Sequence, residues 1–559
     1  MSVNARRAAF TSANVSLLYP ALAFLLTLFA IAPLAYPGFF QSYTGYNAVY
    51  NLIELDHRLS AFFMWTPTWG SAYDFFRMDG PLGYWLAEIF HLFGFSFLNS
   101  IKIIYALAFL LSAFGMFKLA QRVFKNDAAA LLAAALYVYF PAHIAAVYVR
   151  GAFGEAIAWS IFPFALWAAI AFGEKSKRVG RDAAWPQLIT LNLNRAEGVM
   201  TCACVVAFAA LMLAQVGLAI LFAILCMLWL WVLRTPHLER RTFFQSALVI
   251  LMGLGLGFLL QLPALLQQGN TISSDAFVPA FVYPFQFLSA SWGTDLPRGT
   301  FLDNAPYQIG FAALGLTILA VALVLRQGSV ENSARRVMWF AIIASVVLLV
   351  LMMPIAAPLW NLGLNLFVQY PFQLLAFVGF LLPFAAASLV ITDSRFQEIP
   401  LLAALVIVPL FAVYPYLAPE FTDFAPTRPA LARFNNDELA LLDAKIVRPP
   451  GAWRHGATVE LDLTWQALKQ PNHDYTVFLH ILDENGKEWG ATDEKPQGGA
   501  LSTLKMLPGR VYSDTHSVQI GLEGPPEGYH LELGIYQGTT GERAATETGA
   551  TEIRIDENR

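Results

Sequence analysis

Long apolar runs follow one another from Leu17 to Tyr416 and then stop. A helix needs roughly 18–20 apolar residues to cross a bilayer, and an open chain there can satisfy its backbone only as helix. The runs predict about eleven spans: Leu17–Tyr36, Asn99–Leu119, Ala128–Val147, Glu155–Phe172, Val199–Val216, Leu218–Leu233, Phe243–Pro263, Gln308–Leu325, Val337–Pro354, Tyr370–Ile391 and Leu401–Tyr416. Only 13% of the chain is charged and 57% is hydrophobic, whereas soluble domains carry about 25% charge.

Basic residues fall on alternate connections between these runs. One set collects Arg6, Arg7, Lys118, Arg122, Lys125, Lys175, Lys177, Arg178, Arg181, Arg195, Arg234, Arg240, Arg241, Arg326, Arg335, Arg336 and Arg395. The other holds Arg58, Arg77, Arg150 and Arg298, with Lys102 near a span end. The positive-inside rule then predicts a multi-pass plasma-membrane protein with a cytoplasmic N-terminus and, after an odd number of spans, an extracytoplasmic tail. Leu17–Tyr36 lacks a small-residue cleavage site and reads as a retained first span. A net charge of −4 gives no reason to expect a nucleic-acid partner. Cys202, Cys204 and Cys226 all fall inside spans and read as packing residues.

Residues 1–416 therefore read as a transmembrane domain with long exterior loops at 37–80 and 264–307. A linker rich in Pro and charge follows at 417–449, and then the period becomes two. Val459, Leu461, Leu463 and Trp465 alternate with polar residues, and Thr476–Leu482 precedes the hairpin signal Asn485-Gly486. Val518–Leu522 and Tyr529–Tyr536 are further strand candidates. Residues 450–559 are expected to form an extracytoplasmic antiparallel β-sandwich, without disulfides, whose role is packing or contact with a protein partner.

The first exterior loop carries Tyr43, Tyr46, Tyr50, Trp65 and Trp69 beside Glu54-Leu-Asp56-His57-Arg58, then Asp74, Arg77 and Asp79. Such a loop is either an interfacial segment, with aromatics at the headgroup level, or a site where a carboxylate acts as general base on an acceptor hydroxyl. In Tyr148-Val-Arg150-Gly151-Ala-Phe-Gly154-Glu155 a cation and an acid meet at a span boundary. They form a boundary ion pair or a phosphate site that uses the planar fork of Arg150. The loop from Gln267 to Tyr307 holds Trp292-Gly293-Thr294-Asp295 and Asp303.

These stretches resemble the bacterial membrane proteins called 6-pyruvoyl-tetrahydropterin synthase-related, within the GT-C superfamily of glycosyltransferases. The resemblance rests on Leu52-Ile-Glu-Leu-Asp56-His57, on Pro81-Leu-Gly-Tyr84-Trp-Leu-Ala-Glu88 and on Tyr148–Glu155 with Pro163. It continues through Trp292-Gly293, Tyr307-Gln308-Ile-Gly310 and Tyr370-Pro371-Phe372-Gln373-Leu-Leu375. In the tail it rests on Leu463-Thr-Trp465-Gln466, Tyr475-Thr-Val-Phe478-Leu-His480, Pro508-Gly509 and Gly534-Ile-Tyr536.

The resemblance implies a GT-C-like helical domain that transfers sugar from a polyprenyl-phosphate donor, on the outer face, to an envelope glycan, lipid or protein. Asp56 would be the base, with Glu54 as the alternative. Arg150 would meet the donor phosphate, oriented by Glu155. His57, Arg58, Trp292 and Asp303 would line the substrate. Asp74 and Asp79 are candidate acceptor or metal contacts, and Mg or Mn would help neutralise a leaving phosphate, although no spacing demands a metal. The chain departs from the family pattern where Tyr43-Thr44 replaces a His-Asp pair and Ala48 and Asn51 replace a His and an Arg. Gln373 stands for an Arg, and Gln215-Val216 for a His-Asn pair. A catalytically degenerate GT-C-fold scaffold in an envelope complex is the second reading, and a transporter the third.

Overall fold

The computed structural model describes residues 18–36, 38–40, 42, 45–56, 80–176, 195–233, 240–267, 279–293, 299–327, 332–419, 429–435, 437–447, 453–469, 471–506, 508, 510–525 and 528–555. The chain forms two compact units, Met1–Tyr36 with Gln41–Pro419, and Pro37–Phe40 with Glu420–Arg559.

Apart from short turns, the first unit is helical. In chain order its helices are α1 (Leu18–Ala35), α2 (Gly45–Asp56), α3 (Leu82–Leu92), α4 (Phe97–Phe124), α5 (Asp127–Val138), α6 (Pro141–Tyr148) and α7 (Phe153–Ser176). They continue with α8 (Arg195–Ala214), α9 (Val216–Val232), α10 (Arg240–Gln267), α11 (Phe311–Gln327), α12 (Asn332–Leu351), α13 (Leu375–Thr392) and α14 (Ile399–Val413). Seven of these (α1, α4, α7, α10, α12, α13 and α14) are long and apolar enough to cross a membrane. The pair α5–α6 does so as one broken span bent by 42°, and α8, α9 and α11 are shorter apolar helices. Each apolar run in the sequence thus has its helix or helix pair.

Local chemistry sets the ends. Ser96 caps α4 by accepting from the Asn99 amide at 3.2 Å, and Asn126 caps α5 by accepting from Ala129 at 2.9 Å. Pro141 accounts for the break between α5 and α6, because the residue before a proline is driven out of the helical region, and Phe140 is extended at φ −67°, ψ 128°. Gln215, extended at φ −158°, divides α8 from α9. A Cβ on Gly217 would lie 1.4 Å from the Phe367 carbonyl oxygen, so only glycine lets that backbone approach. From Leu375 to Val390 every residue of α13 is buried. That helix runs through the interior and accordingly has no polar face.

Helix α2 falls within the loop expected at 37–80, and α3 follows it, between that loop and the second expected span.

The second unit contains two four-stranded antiparallel sheets. The first sheet has the order β1 (Ala432–Phe434), β2 (Leu439–Ile446), β3 (Thr458–Ala467), β6 (Val511–Gln519). The second has the order β5 (Glu488–Glu494), β4 (Tyr475–Asp483), β7 (Tyr529–Gln537), β8 (Ile553–Ile555). Inward residues of both, among them Leu461, Trp465, Leu479 and Leu533, share one core. The Asn485-Gly486 signal joins β4 to β5, with Gly486 at φ +75° and Asp483 accepting from the amides of Asn485 and Lys487. The stretch expected as linker contributes β1 and β2, and the strand expected at Val518–Leu522 lies earlier, at Val511–Gln519.

Candidate functional site

Glycine at two positions seats α3. The Gly80 amide donates to the Ala214 carbonyl at 2.7 Å, and a Cβ there would fall 1.9 Å from the Leu213 oxygen. A Cβ on Gly83 would meet Ile157 Cδ1 at 2.2 Å, so α3 lies hard against α7. On the same face, Tyr84 packs on Phe153 with ring centroids 4.9 Å apart, and Asn51 of α2 donates to its hydroxyl at 3.3 Å. One turn further on, that face presents Glu88.

Glu88 is 1% exposed, and neither carboxyl oxygen has a hydrogen-bond partner among the described residues. Its charged neighbours are Asp56, at the end of α2, and His91, one turn away on α3. Burial first, and then the Asp56 charge, push the Glu88 carboxyl from an ordinary 4.5 up to about 7, while His91 acts in the opposite direction. His91 Nδ1 lies 2.9 Å from the Phe95 carbonyl and its ring stacks on Phe97 at 3.8 Å. A carbonyl can only accept, so Nδ1 carries the hydrogen and Nε2 is left facing Asp56 Oδ1 at 3.9 Å. The Asp56 side chain is 30% exposed. The result is a buried carboxyl that holds its proton near neutrality beside a more open one, an arrangement suited to general acid–base chemistry.

The second centre lies at the other end of α2. Arg150 Nη1 and Nη2 donate to Glu155 Oε2 and Oε1 at 2.6 and 2.5 Å, a bidentate fork. Trp159 Nε1 also donates to Glu155, at 3.4 Å, and the guanidinium lies 5.4 Å from the Phe372 ring centroid. The turn between them is set by Gly151 at φ +61°, whose carbonyl accepts from Tyr105 at 3.0 Å and whose Cβ position would overlap the Gly45 backbone at 2.4 Å. Gly45 opens α2 and Asp56 closes it, so about 16 Å of helix separates the two centres.

The remaining sequence candidates fall elsewhere. Asp303 closes its own loop, accepting from the Gly299 amide at 2.7 Å, from the Thr300 amide and hydroxyl at 3.2 and 2.7 Å, and from Tyr307 at 3.4 Å. Burial raises the Tyr307 phenol, and Asp303 raises it further. Trp292 stacks on Tyr416 at 4.0 Å. Glu54 lies within α2; His57, Arg58, Asp74 and Asp79 lie outside the described residues. Among the described residues no three His, Cys, Asp or Glu side chains converge as metal ligands. Glu88 and His91 were not singled out from the sequence. The stretch Pro81–Glu88 was the signal available for the first, and His91, one turn beyond it, had none.

No protein-family model matches the chain. No curated protein matches it either. Among solved structures it is similar to that of ArnT from Cupriavidus metallidurans in the apo state, with 15% identity over 75% of this chain and 82% of that one and a TM-score of 0.33. A likeness this loose carries no weight on activity. What the fold defines directly is a multi-helix membrane protein with an antiparallel β unit.

Proposed function

We propose that the protein is a GT-C-type membrane glycosyltransferase that moves a sugar from a polyprenyl-phosphate donor to an envelope acceptor on the outer face. The observation that carries this reading is the pairing of Asp56 with the buried Glu88 on elements that also bear the family-like stretches. Asp56, the more open carboxylate, takes the proton from the acceptor hydroxyl. Glu88 keeps its own proton near neutral pH. Glu54, two residues earlier on α2, is the alternative base.

Arg150, held in plane by Glu155, meets the donor phosphate. In an in-line displacement, base, acceptor oxygen, anomeric carbon and phosphate extend over a distance on the order of 10 Å. Two centres at opposite ends of α2 span such a distance once side chains reach inward. The N-terminus lies in the cytoplasm and the β unit outside, in keeping with the distribution of Lys and Arg.

The test is transfer of labelled sugar from a polyprenyl-phosphate donor by the full chain in vesicles. Asp56→Asn should reduce transfer 100-fold or more without moving the unfolding temperature. Undiminished transfer by that variant would sink the assignment. One observation favours the scaffold reading: Gln373, standing where the resembled family carries Arg, spends its carbonyl oxygen on the amides of Gln369 and Tyr370 at 2.9 and 3.0 Å. That reading predicts no transfer by the wild-type chain and a copurifying protein partner.

A further inference from the structure

The break between α5 and α6 leaves backbone chemistry unfinished. Pro141 has no N–H to give. The amide of Phe140, which would serve the Leu136 carbonyl in a continuing helix, turns instead to Tyr137 at 3.4 Å. His143 Nδ1 supplies the same Tyr137 carbonyl with a second donor at 3.0 Å. The Leu136 carbonyl is left without its helical partner, on a residue only 1% exposed. Within a membrane-spanning pair such a carbonyl is costly unless another donor reaches it.

The segment leading into α11 passes directly over this break. Gly310 permits the approach: it sits at φ +82°, and a Cβ there would lie 2.8 Å from Pro141 Cδ. Two residues earlier, Gln308 is 4% exposed, and its enclosed side-chain nitrogen has no hydrogen-bond partner among the described residues. Buried amide groups rarely stay unpaired. Leu136, Pro141 and Gln308 line one cavity of about 50 Å³, walled also by Ala313 of α11 and by Pro409 and Val413 of α14. A single water needs roughly 10–15 Å³ of such space and at least two polar partners. The cavity has room for it, a donor on Gln308 and an acceptor on Leu136.

We infer that this cavity is a hydration site, where water accepts from Gln308 Nε2 and donates to the Leu136 carbonyl, bridging the broken span to the start of α11. An acyl chain would suit the apolar walls but would leave amide and carbonyl bare. The site shares no residue with the carboxyl pair or the Arg150 fork. The full chain in lipid discs, imaged by electron cryomicroscopy at a resolution that shows ordered water, should carry discrete density within hydrogen-bonding distance of both groups. Gln308→Leu, of similar volume, should erase that density and lower the unfolding temperature by about 2 °C, because the carbonyl is then stranded. Ala313→Val, which fills the cavity and keeps Gln308, should do the same by displacing water from the amide. Continuous aliphatic density, or no density, in the wild-type cavity would overturn the inference. So would a higher unfolding temperature for either variant, which is how a dry cavity responds when an unpaired amide is removed or its void is filled.

Discussion

Arg150 and Glu155 meet end to end through two parallel hydrogen bonds of 2.6 and 2.5 Å, with the glutamate side chain only 2% exposed. A pair this buried is uncharged as a whole, and removing one member strands the other. Glu155→Gln should therefore destabilise the protein by about 3 kcal/mol or more, and Arg150→Lys, which keeps the charge but loses the fork, by less. Thermal unfolding in detergent reads both, and equal melting of wild type and Glu155→Gln would show that the pair is not structural.

Glu88 gives stability a pH dependence of definite sign. Its carboxyl rises from 4.5 to about 7 on folding, so the folded state holds the proton more tightly than the unfolded one. That contribution is complete below about 4.5 and fades as pH climbs through 7. The unfolding temperature should fall between pH 5 and pH 8, and Glu88→Gln, which cannot ionise, should flatten that fall. A slope unchanged in the variant would assign the titration to another group.

Glycines of the helical unit divide into two kinds. Gly80→Ala and Gly217→Ala would drive a methyl to 1.9 and 1.4 Å from backbone oxygens, and both should abolish the folded yield. Gly255 and Gly315 lie inside α10 and α11 with nothing within 4 Å of a built Cβ. Alanine there should stabilise by about 0.5–1 kcal/mol, since helix interiors prefer it. The four variants, compared by yield and melting, test the closeness of the backbone contacts directly.

In the β unit, Asp514 gathers the Gln497 amide at 2.7 Å, His516 Nε2 at 2.7 Å and Trp465 Nε1 at 3.3 Å. Burial would raise its carboxyl, but these donors prevail and hold it below the ordinary range. Its contribution is therefore present above about pH 4 and lost as pH falls. Asp514→Asn should loosen the unit by about 2–3 kcal/mol, visible as faster hydrogen exchange across β3 and β6 and unchanged exchange in α13.

The helical frame was legible because membrane spans announce themselves residue by residue, but the division expected at Gly217 falls two residues earlier, at the extended Gln215. The Arg150–Glu155 centre was legible because both partners sit in one short stretch. The partners of Asp56 were not, since Glu88 and His91 come from another helix, and α3, at eleven residues, is too short to read as a span. Strand β2 escaped for a related reason. Leu439-Ala-Leu-Leu442 is buried on both faces, so the alternation that marks a half-exposed strand is missing, and the prolines and charges preceding it read as linker.

The Gln373 carbonyl oxygen satisfies the amides of Gln369 and Tyr370 at the entrance to α13, a helix buried along most of its length. A guanidinium has no acceptor with which to replace it. An arginine at this position would leave both amides bare. The turn thus works as a lock: a cation can stand at 373 only where the backbone has found another acceptor.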